Sequence, residues 1–64
     1  MADSIWKRFI VTFETRPMGA IGVFVRRERR ELAGTEYAAR ELAREHFNNM
    51  GLETRGVWVK EEKL

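Results

Sequence analysis

The chain has 64 residues, of which 44% are hydrophobic and 34% charged, a formal net charge of +2 and no cysteine. This length allows one domain, residues 1–64, with a small core and marginal stability, and the composition is globular rather than disordered. Without cysteine no disulfide or thiolate–metal site can form, and no apolar run is long enough to cross a membrane. The first four residues lack a signal-peptide pattern, so we expect a cytoplasmic protein.

Two strands are predicted in the first half of the chain. Over about residues 5–15, Phe9, Val11 and Phe13 alternate with polar side chains, a period typical of a half-buried strand. A turn is predicted at Arg16–Gly19, and a second alternating run covers about residues 20–30. The two strands are expected to pair antiparallel.

The segment Arg27–Leu32 is left open between a strand and a helix. Arg27 and Arg29 continue the phase of the buried positions, which a strand lying beneath a helix could not tolerate. The second strand therefore either ends near Arg26 or projects beyond the covered part of the sheet.

A helix is predicted over about residues 36–50, with Thr35 as its N-cap and Gly51 at its end. Its apolar stripe comprises Ala39, Leu42, Ala43, His46, Phe47 and Met50. A last strand covers about residues 54–61, and Lys63 and Leu64 are expected to fray. The order strand, strand, helix, strand predicts a two-layer α+β fold in which one helix packs on a three-stranded antiparallel sheet of order 2-1-3.

Alternation divides the sheet into two faces. The face toward the helix is predicted to carry Phe9, Val11, Phe13, Ile21, Val23, Val25, Val57 and Val59. The opposite face is predicted to carry Trp6, Arg8, Ile10, Thr12, Phe24, Arg26, Trp58 and Lys60. No other part of this short chain remains to cover that second face.

Such an aromatic and basic face has three interpretations. Tryptophan and arginine are enriched in binding hot spots, which favours docking onto a protein, including a second copy of this chain. Bases of a nucleic acid could instead stack on the aromatic rings, with the cations near phosphates. In the third interpretation the tryptophans fold over arginine stems and only stabilise the sheet.

Catalytic chemistry finds little support in the sequence. The chain has one histidine and one serine, so no set of nucleophile, base and orienting residue can be assembled. His46 is read as a residue at the boundary of the core, and Glu41 and Glu45 as part of a solvated face with Arg40 and Arg44. We expect no enzyme activity, no cofactor and no metal site.

Length, strand order and several segments resemble the small RNA polymerase inhibitors made early in infection by podophages. The segments are residues 7–13, the helix from Glu36 to Phe47, and residues 51–55 before the last strand. The resemblance implies a non-enzymatic protein that binds the jaw region of the large bacterial polymerase subunit through arginines on its last strand. Of that arginine region only Arg55 matches here, and the acidic, DNA-repelling patch of these inhibitors has no counterpart in a basic chain.

The sequence therefore predicts a small non-catalytic interaction protein that is encoded by a phage or mobile element. It is expected to bind a bacterial host protein machine and to inhibit or modulate it, and RNA polymerase is the first candidate. The alternatives are a nucleic-acid-binding module on the same face and a homodimer through that face; no membrane partner is expected. The predicted binding residues are Trp6, Arg8, Phe24, Arg26, Arg27, Arg29, Arg30, Arg55, Trp58 and Lys60.

Overall fold

The computed structural model describes residues 6–62. The elements are β1 (Lys7–Pro17), β2 (Val25–Ala33), α1 (Glu36–Asn49) and β3 (Leu52–Glu62). The sequence predictions for Met1–Ile5 and for Lys63 and Leu64 lie outside the described residues.

The predicted fold is confirmed. The three strands form one antiparallel sheet in the order β2-β1-β3, so the strand that follows the helix returns beside the first strand. The helix packs on one side of this sheet, which makes a two-layer α+β domain.

The core lies between the central strand and α1. Phe9, Val11 and Phe13 are between 0% and 2% exposed, and we call their side of the sheet the inner face. Ala39 and Ala43 are both 0% exposed on the helix. Because alanine has the smallest apolar side chain, the helix axis can approach the sheet closely and leave the core space to the phenylalanine rings.

The helix begins and ends as its sequence indicates. The Thr35 hydroxyl accepts a hydrogen bond from the backbone N–H of Ala38 at 3.1 Å, and Gly51 has a φ of 82° just after the last turn. The apolar stripe is narrower than predicted, since Leu42 and Met50 are 43% and 58% exposed. Only the residues nearest the sheet are covered, and His46 is half-buried with its ring 5.5 Å from that of Phe47.

The second strand lies later in the chain than the sequence predicts. Its pairing with β1 begins at Thr15 and Val25, so Ile21 and Val23 are outside the sheet and are 101% and 84% exposed. Their predicted place in the core is wrong. Beyond Thr15, strand β1 pairs only with β3. Pro17 has no N–H, so it offers no donor that would extend the pairing with β2.

The open question about Arg27–Leu32 is resolved in favour of a strand. Arg27 and Arg29 share the inner side of β2 with the half-buried Glu31 but remain exposed, since this part of the edge strand projects beyond the cover of α1. Charged side chains on both faces of an edge strand also discourage pairing with further strands.

A bulge interrupts β3 at Gly56, which has a φ of 58°. Val57 pairs with Phe13, but Arg55 pairs with Glu14, so Gly56 is one extra residue opposite the central strand. The extra residue reverses the alternation. Val57 therefore points to the inner face while Arg55, two positions earlier, points to the other side.

Candidate binding surface

The sheet side away from α1 has no second layer among the described residues, and we call it the outer face. Central β1 contributes Arg8, Ile10, Thr12, Glu14 and Arg16. The flanking strands contribute Arg26, Glu28, Arg30, Leu32, Glu53, Arg55, Trp58, Lys60 and Glu62. Most of the predicted binding residues thus belong to one surface.

Trp58, on edge strand β3, is the largest apolar side chain of this surface and is 50% exposed. It lies across Thr12 of β1, and the guanidinium carbon of Arg26 lies 4.7 Å from the centre of its ring. A cation over a tryptophan face is an attractive contact that also restricts both side chains. The pair therefore presents a partly ordered aromatic and cationic platform to solvent.

Phe24, just before β2, is held between two arginines. The guanidinium carbons of Arg16 and Arg55 lie 4.3 Å and 4.0 Å from its ring centre. Each arginine is also bound to a carboxylate, Arg16 to Glu53 at 3.1 Å and Arg55 to Glu14 at 3.0 Å. This cluster fixes the end of the β1–β2 loop against the outer face.

One further ion pair lies on this side of the sheet. Arg30 contacts Glu62 at 3.2 Å, with 60% and 30% of the two side chains exposed. Exposed pairs of this kind contribute about 0–1 kcal/mol to stability. Their larger effect is on recognition, because they reduce the positive charge that the outer face offers to phosphates.

Three predicted binding residues lie elsewhere. Arg27 and Arg29 project from the inner side of β2, where Arg27 donates to the Thr15 hydroxyl at 3.1 Å and Arg29 forms an ion pair with Glu31. Trp6 lines an open groove with Ala33 and the solvent side of α1 rather than joining Trp58. The alternation of β1 does not extend to Trp6, because the strand begins at Lys7.

An apolar surface that the sequence analysis did not identify lies in the β1–β2 loop. Met18, Ile21 and Val23 are 56%, 101% and 84% exposed. Met50 at the end of α1 is 58% exposed and belongs to the same end of the molecule, because the Met18 N–H donates to the Gly51 carbonyl at 2.9 Å. We call these four residues the loop tip. The signal that could have found them is the pair Gly19 and Gly22, which marks a loop rather than a strand.

Acid–base or metal chemistry would need several ionisable side chains close together. No group of three or more His, Asp or Glu side chains in residues 6–62 could hold a metal ion. Glu41 binds Arg44 at 2.7 Å and lies 3.8 Å from Arg40, as expected of a solvated charged face. No helix in the described part of the chain is long and apolar enough to span a membrane.

Comparison with protein-family models, curated proteins and solved structures found no match to this chain. Inference about function therefore depends on the outer face and the loop tip. Both are surfaces that a partner could cover, and neither is an enclosed cavity.

Proposed function

We propose that this chain is a small non-catalytic interaction protein of a phage or mobile element. It binds a bacterial host protein and inhibits or modulates it, with the outer face as the main contact. The observation that carries the proposal is Trp58, a tryptophan that remains 50% exposed on a sheet face that no second layer of residues 6–62 covers. Tryptophan is among the residue types whose burial contributes most to binding at protein interfaces.

The arrangement around Trp58 supports a protein partner over a nucleic acid. Arg16, Arg30 and Arg55 each form an ion pair with a glutamate of the same face. Mixed, internally paired charge suits the polar rim of a protein interface. A phosphate-binding surface would instead need its cations free to neutralise the backbone of the nucleic acid, whereas glutamates hold three of the six cations on the outer face.

Bacterial RNA polymerase is the first partner to test. The resemblance to the podophage inhibitors places functional arginines on the last strand, and the bulge at Gly56 brings Arg55 to the same face as Trp58. Inhibition would then follow from steric occupation of the host protein, because the proposal assigns no chemical step to this chain.

A capture experiment tests the proposal. The tagged protein is incubated with nuclease-treated bacterial lysate, and bound proteins are identified by mass spectrometry. We expect one stoichiometric host protein, and we expect the variant Trp58→Ala/Arg26→Ala to lose it. The same variant should keep the fold, since both side chains are exposed.

The helix offers a matched control. Tyr37 is 64% exposed, and the guanidinium carbon of Arg40 lies 5.1 Å from its ring centre, the same type of aromatic–arginine pair at another place. Tyr37→Ala/Arg40→Ala should leave capture unchanged. If the Trp58 and Arg26 variant captures as much as the wild type, the outer face is not the contact; if only nucleic acid is recovered, the alternative module is favoured.

A further inference from the structure

The loop tip combines high exposure with apolar character. Ile21 and Val23 are 101% and 84% exposed, so nearly the whole of each side chain is in water. Met18 and Met50 add flexible thioether side chains at the same end. Apolar side chains as exposed as these, concentrated at one end of a small domain, are a candidate interaction surface.

The backbone beneath the loop tip is held at several points. The Ala20 N–H donates to the Pro17 carbonyl at 3.1 Å, which closes a turn, and the Arg16 Nη1 donates to the Gly22 carbonyl at 3.1 Å. Phe24 is stacked between two arginines at the far end of the loop. A loop that is ordered before binding loses less conformational entropy when it docks. Such a loop suits a partner with a preformed pocket of complementary shape.

The charges next to the loop tip are positive on balance. Residues 15–27 contain three arginines and no acidic residue, and the nearby Glu53 and Glu14 are already bound to Arg16 and Arg55. Within the described residues, Arg26 and Arg27 contact the Trp58 ring and the Thr15 hydroxyl but form no ion pair with a carboxylate. Two guanidinium groups are therefore available for carboxylates of a partner, which they can bind in bidentate geometry.

A second copy of this chain, a lipid bilayer and a pocket of another protein are three partners that could cover the loop tip. A second copy docked tip to tip would bring like charges together. A bilayer interface favours tryptophan, tyrosine and lysine, whereas the four residues of the loop tip are all aliphatic or methionine. A protein pocket with an apolar floor and an acidic edge matches both the preformed shape and the charge.

We propose that the loop tip inserts into an apolar pocket of the host protein, and that Arg26 and Arg27 bind carboxylates at the edge of that pocket. This inference depends on the proposed function and adds the chemistry of the partner's site. The loop tip and the outer face then form one continuous contact around the start of β2.

The test compares two variants of the full chain in the lysate capture. Ile21→Ser/Val23→Ser removes the apolar side chains, and Leu42→Ser removes an apolar side chain of α1 that is 43% exposed. We expect the first variant to lose at least about tenfold in the amount of the host protein that the wild type captures, and Leu42→Ser to lose less than about twofold. Circular dichroism checks that both variants fold.

A photo-crosslinking residue at position 21 identifies the contacted segment. We expect a crosslinked peptide of that same host protein that contains both apolar and acidic residues. Full capture by Ile21→Ser/Val23→Ser, or a crosslinked segment without Asp or Glu, would overturn the inference while the proposed function stands. Absence of any specific host protein would overturn both.

Vesicles of phosphatidylcholine and phosphatidylglycerol in equal parts provide the remaining comparison. We expect no cosedimentation of the wild type with these vesicles. Cosedimentation that is lost in Ile21→Ser/Val23→Ser would show insertion into a bilayer and would overturn the protein pocket.

Discussion

The two faces of strand β1 are built in different ways. On the inner face, Phe9, Val11 and Phe13 are almost fully buried beneath the small residues of α1. On the outer face, Thr12 of the same strand is half-buried beside Trp58, and Glu14 is half-buried in an ion pair with Arg55. The inner face is covered by close apolar packing, whereas the outer face carries ion pairs and an aromatic–arginine contact.

This difference separates stability from recognition. Close packing leaves each inner residue coupled to its neighbours, so a change of one methylene is felt. Exposed ion pairs and cation–π contacts contribute little each and can rearrange when a partner arrives. We therefore expect inner substitutions to change the free energy of unfolding, and outer substitutions to change mainly binding.

The largest expected effect comes from Phe13→Ala. Phe13 is 1% exposed and its ring meets that of Phe47 edge-on at 6.1 Å, so truncation should cost about 3–5 kcal/mol, much of the stability of so small a domain. Urea denaturation followed by circular dichroism measures the loss. Ile10→Ala, on the outer face of the same strand, should cost clearly less; equal losses would contradict the comparison.

Overpacking the alanine side of the core should have the next largest effect. Ala43 is 0% exposed, so Ala43→Leu must push α1 away from the sheet, at an expected cost of about 1–3 kcal/mol. Thermal unfolding measures it. The adjacent substitution Leu42→Ala, at an exposed position, is the control. A more stable Ala43→Leu variant would show that the helix does not approach as closely as we describe.

A substitution at the bulge should lower the free energy of unfolding by a smaller amount, through backbone conformation alone. Gly56→Ala should cost about 1–2 kcal/mol, because φ is 58° and a left-handed conformation is unfavourable for a residue with a Cβ. Space is not the limit, since a Cβ there would lie 3.6 Å from the Trp58 ring, an ordinary contact. Gly56→Asn should lose less in the same denaturation experiment, and equal losses would argue against backbone strain.

The smallest effect is expected for the ion pair of Arg30 with Glu62. A double-mutant cycle with Arg30→Gln and Glu62→Gln should give a coupling free energy of about 0.5 kcal/mol or less at low salt, and less still at high salt. Denaturant unfolding at two salt concentrations measures it. A coupling above about 2 kcal/mol would mean that the outer face contributes to the fold more than we infer.

Local signals account for the parts of the fold that could be predicted. The alternation around Phe9–Phe13 and the N-cap at Thr35 depend on neighbouring residues, and both are where the sequence indicates. Ile21 and Val23 carry the same alternation, yet they lie in a loop. Their position depends on where pairing between β1 and β2 stops, which is a property of Pro17 and the partner strand rather than of the segment itself.

The candidate surface shows the same division. Arg26 and Trp58 follow from period-two alternation, so their shared face could be predicted. Trp6 could not be placed in that way, because it precedes β1 and lies beside α1. The ion pairs of the outer face were also beyond prediction, since they depend on the register of three strands.

Gly56 shows how such a surface can change during evolution. If β3 paired without the bulge, Gly56 would lie opposite Glu14 and Arg55 opposite Thr15, so Arg55 and Glu53 would exchange faces with Leu52 and Thr54 while Val57–Glu62 kept their register. The bulge therefore determines whether this end of the outer face carries two charged side chains or an apolar and a hydroxyl one. In small sheet proteins of this kind, gain or loss of a partner can come from gain or loss of a bulge as well as from substitution of the contact residues.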